Sequence, residues 1–160
     1  MTKRTFLGTA SAALGALFVG GCAKADGETP ETFEVTRTPE QWRATLSPQQ
    51  YAVLRDAGTE RPRSSPLNDE KRAGTYVCAG CELPVYSSDT KFESGTGWPS
   101  FTAPIDGAIR TKPDQGFLTV RTEVHCRRCG GHLGHVFDDG PLPTGMRYCM
   151  NGVAMNFVPA

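Results

Sequence analysis

The chain has 160 residues and balances 17 Lys and Arg against 17 Asp and Glu, so nothing in its net charge draws it to nucleic acid or an anionic membrane. That length accommodates one domain plus a leader, with chain enough to bury a sizeable core. Its 18 Gly and 12 Pro favour turns and short strands over long helices.

Residues 1–22 read as a bacterial export signal. Thr2-Lys3-Arg4-Thr5-Phe6-Leu7 supplies a basic start, and Gly8 to Gly21 is a short run of small and apolar residues. The run is too short for a comfortable membrane span, and a buried or interfacial helix is the competing interpretation. Val19-Gly20-Gly21-Cys22 resembles a lipobox, which would acylate Cys22 and anchor the protein to a membrane. Ala23-Lys24-Ala25 equally fits ordinary cleavage, leaving a soluble protein that starts at Asp26. The Lys-Arg-x-Phe-Leu start also resembles a twin-arginine signal with lysine in place of the first arginine. The expected location is the periplasmic side of the inner membrane as a lipoprotein, or the periplasm in soluble form.

Residues 23–37 are polar and threonine-rich and read as a linker; the domain is expected over 38–160. Thr38-Pro39-Glu40-Gln41-Trp42 and Ser47-Pro48-Gln49-Gln50 each place a hydroxyl cap before proline, the start of a helix. Tyr51, Ala52 and Leu54 give the second helix an apolar face, and Gly58 is its expected stop. From Gly74 the texture changes to short β runs. Thr75-Tyr76-Val77 leads into Cys78, Phe117 to Val124 leads toward Cys126, and Arg147 to Phe157 forms the last run. The expected fold is mostly β, with two small antiparallel sheets, short N-terminal helices and a four-cysteine zinc site.

Cys78-Ala-Gly-Cys81 and Cys126-Arg-Arg-Cys129 are two Cys-x-x-Cys pairs, separated by about 44 residues against the roughly 15–20 of a compact zinc ribbon. The intervening chain must therefore belong to the domain. Each pair follows a strand, and antiparallel pairing is expected to bring the two knuckles together. Four thiolates close a tetrahedral zinc shell with no open position, which makes the ion structural. Disulfides are the competing interpretation in an oxidising compartment.

Cys149 stands outside both pairs. Arg147, Cys149 and Asn151 recur with period two, so a strand would put all three on one face. An arginine there would stabilise the thiolate and make Cys149 a nucleophile; an inert core cysteine is the bland alternative. His132-Leu133-Gly134-His135, followed by Asp138-Asp139, supplies candidates for proton transfer. His125, beside Cys126, reads as structural. Gly95-Thr96-Gly97-Trp98-Pro99-Ser100-Phe101 is either a tight turn with Trp98 in the core or an aromatic pocket for a methyl or thioether group.

Cys-x-x-Cys, Gly-Trp-Pro-Ser-Phe, Cys-x-x-Cys, His-Leu-Gly-His-Val-Phe-x-Asp-Gly and Arg-Tyr-Cys-x-Asn occur in that order. In this conjunction the chain resembles the B-type peptide methionine sulfoxide reductases, specific for the R epimer at sulfur, over about Thr38 to Val158. The resemblance implies that Cys149 attacks the sulfoxide sulfur and becomes a sulfenic acid, with Arg147 favouring its thiolate. It implies that His132, His135, Asp139 and Asn151 bind and polarise the oxygen or deliver its proton, and that Trp98 and Phe101 contact substrate. Cys78, Cys81, Cys126 and Cys129 would hold one structural zinc ion.

In one respect the chain departs from that pattern. Many members carry a resolving cysteine in the Gly-Trp-Pro-Ser-Phe element, where this chain has Thr96. Recycling is then expected from an external thioredoxin-like or small thiol, acting on a monomer that repairs oxidised proteins or peptides. Two other classes compete. A zinc-ribbon binding module would require a basic patch with exposed aromatics. A dithiol oxidoreductase would require metal-free, redox-active Cys-x-x-Cys pairs.

Overall fold

Thr38 and Ser47 each begin a helix, as their sequence signals predict. In the computed structural model α1 spans Pro39–Thr45 and α2 spans Pro48–Leu54. Both start with a reciprocal capping box. The Thr38 hydroxyl accepts from the Gln41 backbone N–H at 3.3 Å, and the Gln41 side chain accepts from the Thr38 N–H at 2.9 Å. Ser47 and Gln50 repeat the arrangement at 3.2 and 3.0 Å. The second helix stops before Gly58: Arg55 is its C-cap and Ala57 takes a left-handed φ of 52°. The helices bury Trp42, Val53 and Leu54.

The structure describes residues 31–115 and 120–160. The expected signal segment 1–22, most of the expected linker, and Phe117 to Thr119 of the expected strand lie outside the described residues. The compact unit begins at Thr32 rather than at residue 38. The Val35 N–H donates to the Arg128 carbonyl at 3.0 Å, and Glu34 pairs with Arg127 at 2.7 Å. Residues 32–37, which include Phe33 and Val35, are thus bound to the second Cys-x-x-Cys knuckle.

Among the described residues nine strands follow: β1 (Gly74–Cys78), β2 (Pro84–Ser87), β3 (Lys91–Phe92), β4 (Ser100–Phe101), β5 (Ile109–Gln115), β6 (Val120–Cys126), β7 (His132–Phe137), β8 (Arg147–Met150) and β9 (Met155–Pro159). They form two antiparallel sheets, in the orders β2-β1-β9 and β3-β4-β8-β7-β6-β5. The run Arg147 to Phe157 is thus two strands in two sheets, divided at Asn151 and a 3₁₀ turn at Gly152–Ala154. Cys78 ends a strand of one sheet and Cys126 a strand of the other, so strand pairing does not join the knuckles. The packing of the two sheets does.

That packing is aromatic at its centre. Phe101 stacks on Tyr86 with ring centroids 4.3 Å apart and meets Tyr76 edge-on at 4.9 Å. Val85, Val124, Leu133 and Met150 complete the buried layer. Phe101 is wholly buried there, which corrects its expected place at a substrate surface. It pairs with Tyr148, one residue out of phase with Cys149, so the pleat turns it to the opposite face from the candidate nucleophile.

Candidate active site and metal centre

Strand register builds the site around Cys149. Cys149 lies opposite Ser100 on β4 and opposite His135 on β7. His135 in turn lies opposite Glu123 on β6, and Glu123 opposite Lys112 on β5. Residues paired in this way share a face, so a polar row crosses the sheet with the thiol inside it. The approach is close because β7 has glycine at the right place: a Cβ on Gly134 would overlap the Cys149 carbonyl.

Both histidines are oriented by carboxylates. His132 Nδ1 lies 2.9 Å from Glu123 Oε1, while its Nε2 is buried and has no hydrogen-bond partner. Donation from Nδ1–H to Glu123 leaves Nε2 as an acceptor, and a second proton would make it a donor. Burial pushes the Glu123 carboxyl up, but His132 and Lys112 bring it below its usual value. His135 Nε2 lies 2.7 Å from Asp114 Oδ2. Burial lowers the imidazole's basicity more than Asp114 raises it, so a neutral His135 donates to an ionised Asp114. The two rings meet edge-on with centroids 5.3 Å apart.

Arg147 and Asp139 form one unit rather than two independent groups. Arg147 Nε and Nη2 each donate to an Asp139 oxygen at 2.8 Å, and its guanidinium lies 4.4 Å over the Phe137 ring. That bidentate pairing holds the Asp139 carboxyl below its usual value, so it is ionised and can only accept. The pair places Asp139 to brace the Arg147 side chain. The Arg147 charge favours the Cys149 thiolate, as expected, but burial outweighs it. Burial pushes the Cys149 thiol above its usual value, and the Thr96 hydrogen bond and Arg147 charge offset only part of that.

Asn151 falls just past β8, and its side chain is committed to backbone. Its Oδ1 accepts from the Glu60 N–H at 3.0 Å and its Nδ2 donates to the Leu133 carbonyl at 3.2 Å. Glu60, absent from the sequence-based candidates, is the hub of this region. Its carboxylate accepts from the Gly152 and Val153 N–H groups at 2.6 and 2.9 Å, and its carbonyl accepts from Trp98 Nε1 at 3.1 Å. One loop residue thereby fixes both the half-buried Trp98 ring and the chain that follows Cys149. A cavity of about 890 Å³ opens beside it, lined by Thr59, Arg61, Leu67, Val153 and Phe157, and does not reach Cys149.

Cys78, Cys81, Cys126 and Cys129 converge with their sulfurs all within 4.8 Å of one another. Cys78 and Cys129 are 3.7 Å apart and Cys81 and Cys126 are 3.5 Å apart, and all four are free thiols. Those separations exclude S–S bonds of about 2.05 Å. Sulfurs about 2.3 Å from a shared tetrahedral centre sit about 3.8 Å apart, so this donor set fits a metal ion. Hydrogen bonding among the crowded sulfurs drives Cys126 down and Cys78 up, a division of charge that a bound cation would relieve.

Residues 46–159 match the model of the SelR domain. The chain is 57% identical over 111 residues to the peptide methionine sulfoxide reductase MsrB of Pseudomonas putida (strain W619), covering 69% of this chain and 84% of that protein. It is 58% identical over 109 residues to the protein of that name from Methanosarcina barkeri, covering 68% and 77% of the two chains. With the one from Leptospira interrogans it shares 49% over 126 residues, 78% of this chain and 96% of that one. On the domain match and these identities together, the chain belongs to the SelR-domain MsrB family.

Proposed function

We propose that this protein reduces methionine (R)-sulfoxide in peptides or proteins, with Cys149 as the only thiol that is oxidised. Family membership supplies the reaction, and the polar row around Cys149 is the observation that supports these residue roles. The Cys149 sulfur attacks the sulfoxide sulfur and the S–O bond breaks. Oxygen leaves with one proton to make the Cys149 sulfenic acid, and methionine departs reduced. His132, whose buried Nε2 has no hydrogen-bond partner, delivers the proton, and Glu123 orients it. His135, tied to Asp114, is the neutral polar neighbour across from the thiol. Arg147, braced by Asp139, lends positive charge, and Trp98 holds the substrate methyl.

Two external thiols then return Cys149 to the thiol, giving one disulfide and water. Thr96 Oγ1 lies 3.9 Å from Cys149 Sγ, where a thiol would be needed for internal resolution. The four clustered cysteines hold zinc and stay out of the cycle. In a single turnover without reductant, about one methionine should form per Cys149 from the R epimer and none from the S epimer. A sulfenic-acid trap should label Cys149, with no intramolecular disulfide. Equal consumption of both epimers, or a Cys149 disulfide to another cysteine of the chain, would refute this assignment.

Residues 1–22 direct the protein out of the cytoplasm in this proposal. The basic start, the apolar run and the Val19-Gly20-Gly21-Cys22 sequence support export. Mass spectrometry of the protein from its native membrane fraction and periplasm should find it beginning at acylated Cys22 or at Asp26. A mature chain that still begins at Met1 would defeat this part.

A further inference from the structure

Three hydroxyl groups link the Cys149 sulfur to a backbone carbonyl, and their proton count fixes a direction. Ser100 Oγ donates to the Trp98 carbonyl at 3.1 Å, and a carbonyl can only accept. Ser94 Oγ is 2.7 Å from Ser100 Oγ, whose single proton is already used, so Ser94 is the donor there. Thr96 Oγ1 is 2.8 Å from Ser94 Oγ, whose proton is likewise used, so Thr96 donates in turn. The oxygen that Thr96 presents to Cys149 at 3.9 Å is therefore an acceptor, and the thiol donates to it. Ser100 is fully buried, so water does not compete for its proton, while Ser94 and Thr96 are half-buried.

We propose that Thr96, Ser94 and Ser100 form a reversible relay that holds Cys149 as a thiol at rest and turns round when it ionises, so that Thr96 then donates to the thiolate. The proposal rests on the assignment of Cys149 as nucleophile and adds the groups that set its ionisation. On reversal Ser94 donates to Thr96, Ser100 donates to Ser94, and the Trp98 carbonyl gives up its bond to Ser100. The ionisation state of the sulfur is thereby coupled to the backbone of the residue that holds the substrate methyl. Desolvation of Cys149 raises the need for such a donor, since bulk water supplies little to a half-buried thiolate.

The relay makes an unusual pair of expectations for neighbouring hydroxyls. Thr96→Val removes the donor to the thiolate, so Cys149 should ionise at higher pH. Ser94→Ala removes the acceptor that competes for the Thr96 proton, so donation to the thiolate breaks no other bond and Cys149 should ionise at lower pH. The measurement is the pH dependence of iodoacetamide alkylation of the full-length, metal-loaded protein, followed at the Cys149 peptide by mass spectrometry. Below the wild-type midpoint, Thr96→Val should alkylate about tenfold more slowly, the worth of one hydrogen bond to a charged group. Thr96→Ser should track wild type. A Thr96→Val midpoint at or below wild type, a Ser94→Ala midpoint at or above it, or Thr96→Ser tracking Thr96→Val would each overturn the relay. Alkylation reports the thiol whether or not a sulfoxide is reduced, so failure here is separate from failure of the single-turnover test.

Discussion

Cys149→Ser is expected to lower single-turnover reduction of methionine (R)-sulfoxide by at least about a thousandfold while leaving melting temperature and metal content at wild-type values. The size of the loss follows from the chemistry of the step. Sulfur is polarisable and can share its electrons with the sulfoxide sulfur; a serine hydroxyl ionises far above neutral pH and forms no comparable adduct. The fold should not notice the change. Cys149 is half-buried, and its neighbours Thr96 and Ser100 are hydroxyl residues, so a serine hydroxyl there does not face an apolar wall. Residual R-epimer reduction at wild-type rate would remove Cys149 from the chemistry and return attention to the four clustered cysteines. Conversely, a collapse in melting temperature would leave the activity loss without a chemical meaning, and Cys149→Ala would then serve as the apolar control for folding.

Signals that act within a few residues were legible in the sequence. The caps at Thr38 and Ser47 name their own partners three residues on, so both helix starts follow from local geometry. The Cys-x-x-Cys pairs show which thiols belong together in twos because each pair closes on one turn. What joins the two pairs was not legible, since Cys78 and Cys126 end strands in different sheets and only sheet packing connects them. The same limit hid the division of Arg147 to Phe157, an unbroken β-like run that changes sheets at Asn151. Phe101 was misplaced because an aromatic in a functional motif looks the same whether it lines a pocket or fills the core. Glu60, Glu123 and Asp114 were invisible as site residues for a related reason. Their partners lie 92, 9 and 21 positions away, on other strands and loops, and a surface carboxylate has the same sequence signature. Arg147 illustrates a difference of magnitude: its charge does act on Cys149, but the strand buries the thiol more than the arginine can offset.

Loss of the metal should have the largest effect on the fold. Cys78, Cys126 and Cys129 are among the buried core residues, and Gly80 between Cys78 and Cys81 packs near both Cys129 and Trp42. The cluster joins the end of β1 in one sheet to the end of β6 in the other, and Phe33 and Val35 lean on the same knuckle through His125 and Arg128. With zinc bound, the ion's free energy of binding adds directly to folding free energy. Without it, several sulfurs crowded at 3.5 and 3.7 Å must share protons in a buried site. Chelation, or Cys126→Ser, is therefore expected to cost about 5 kcal/mol or more, lowering the melting temperature by about 15 °C in a domain of this size. Metal analysis of the purified protein should give about one zinc per chain, falling to near zero in the variant. Calorimetry and far-ultraviolet circular dichroism read the consequence without reference to activity. A metal-free protein that melts at the wild-type temperature would show that sheet packing alone holds the knuckles together, and the cysteines would then have to be explained by redox chemistry of their own.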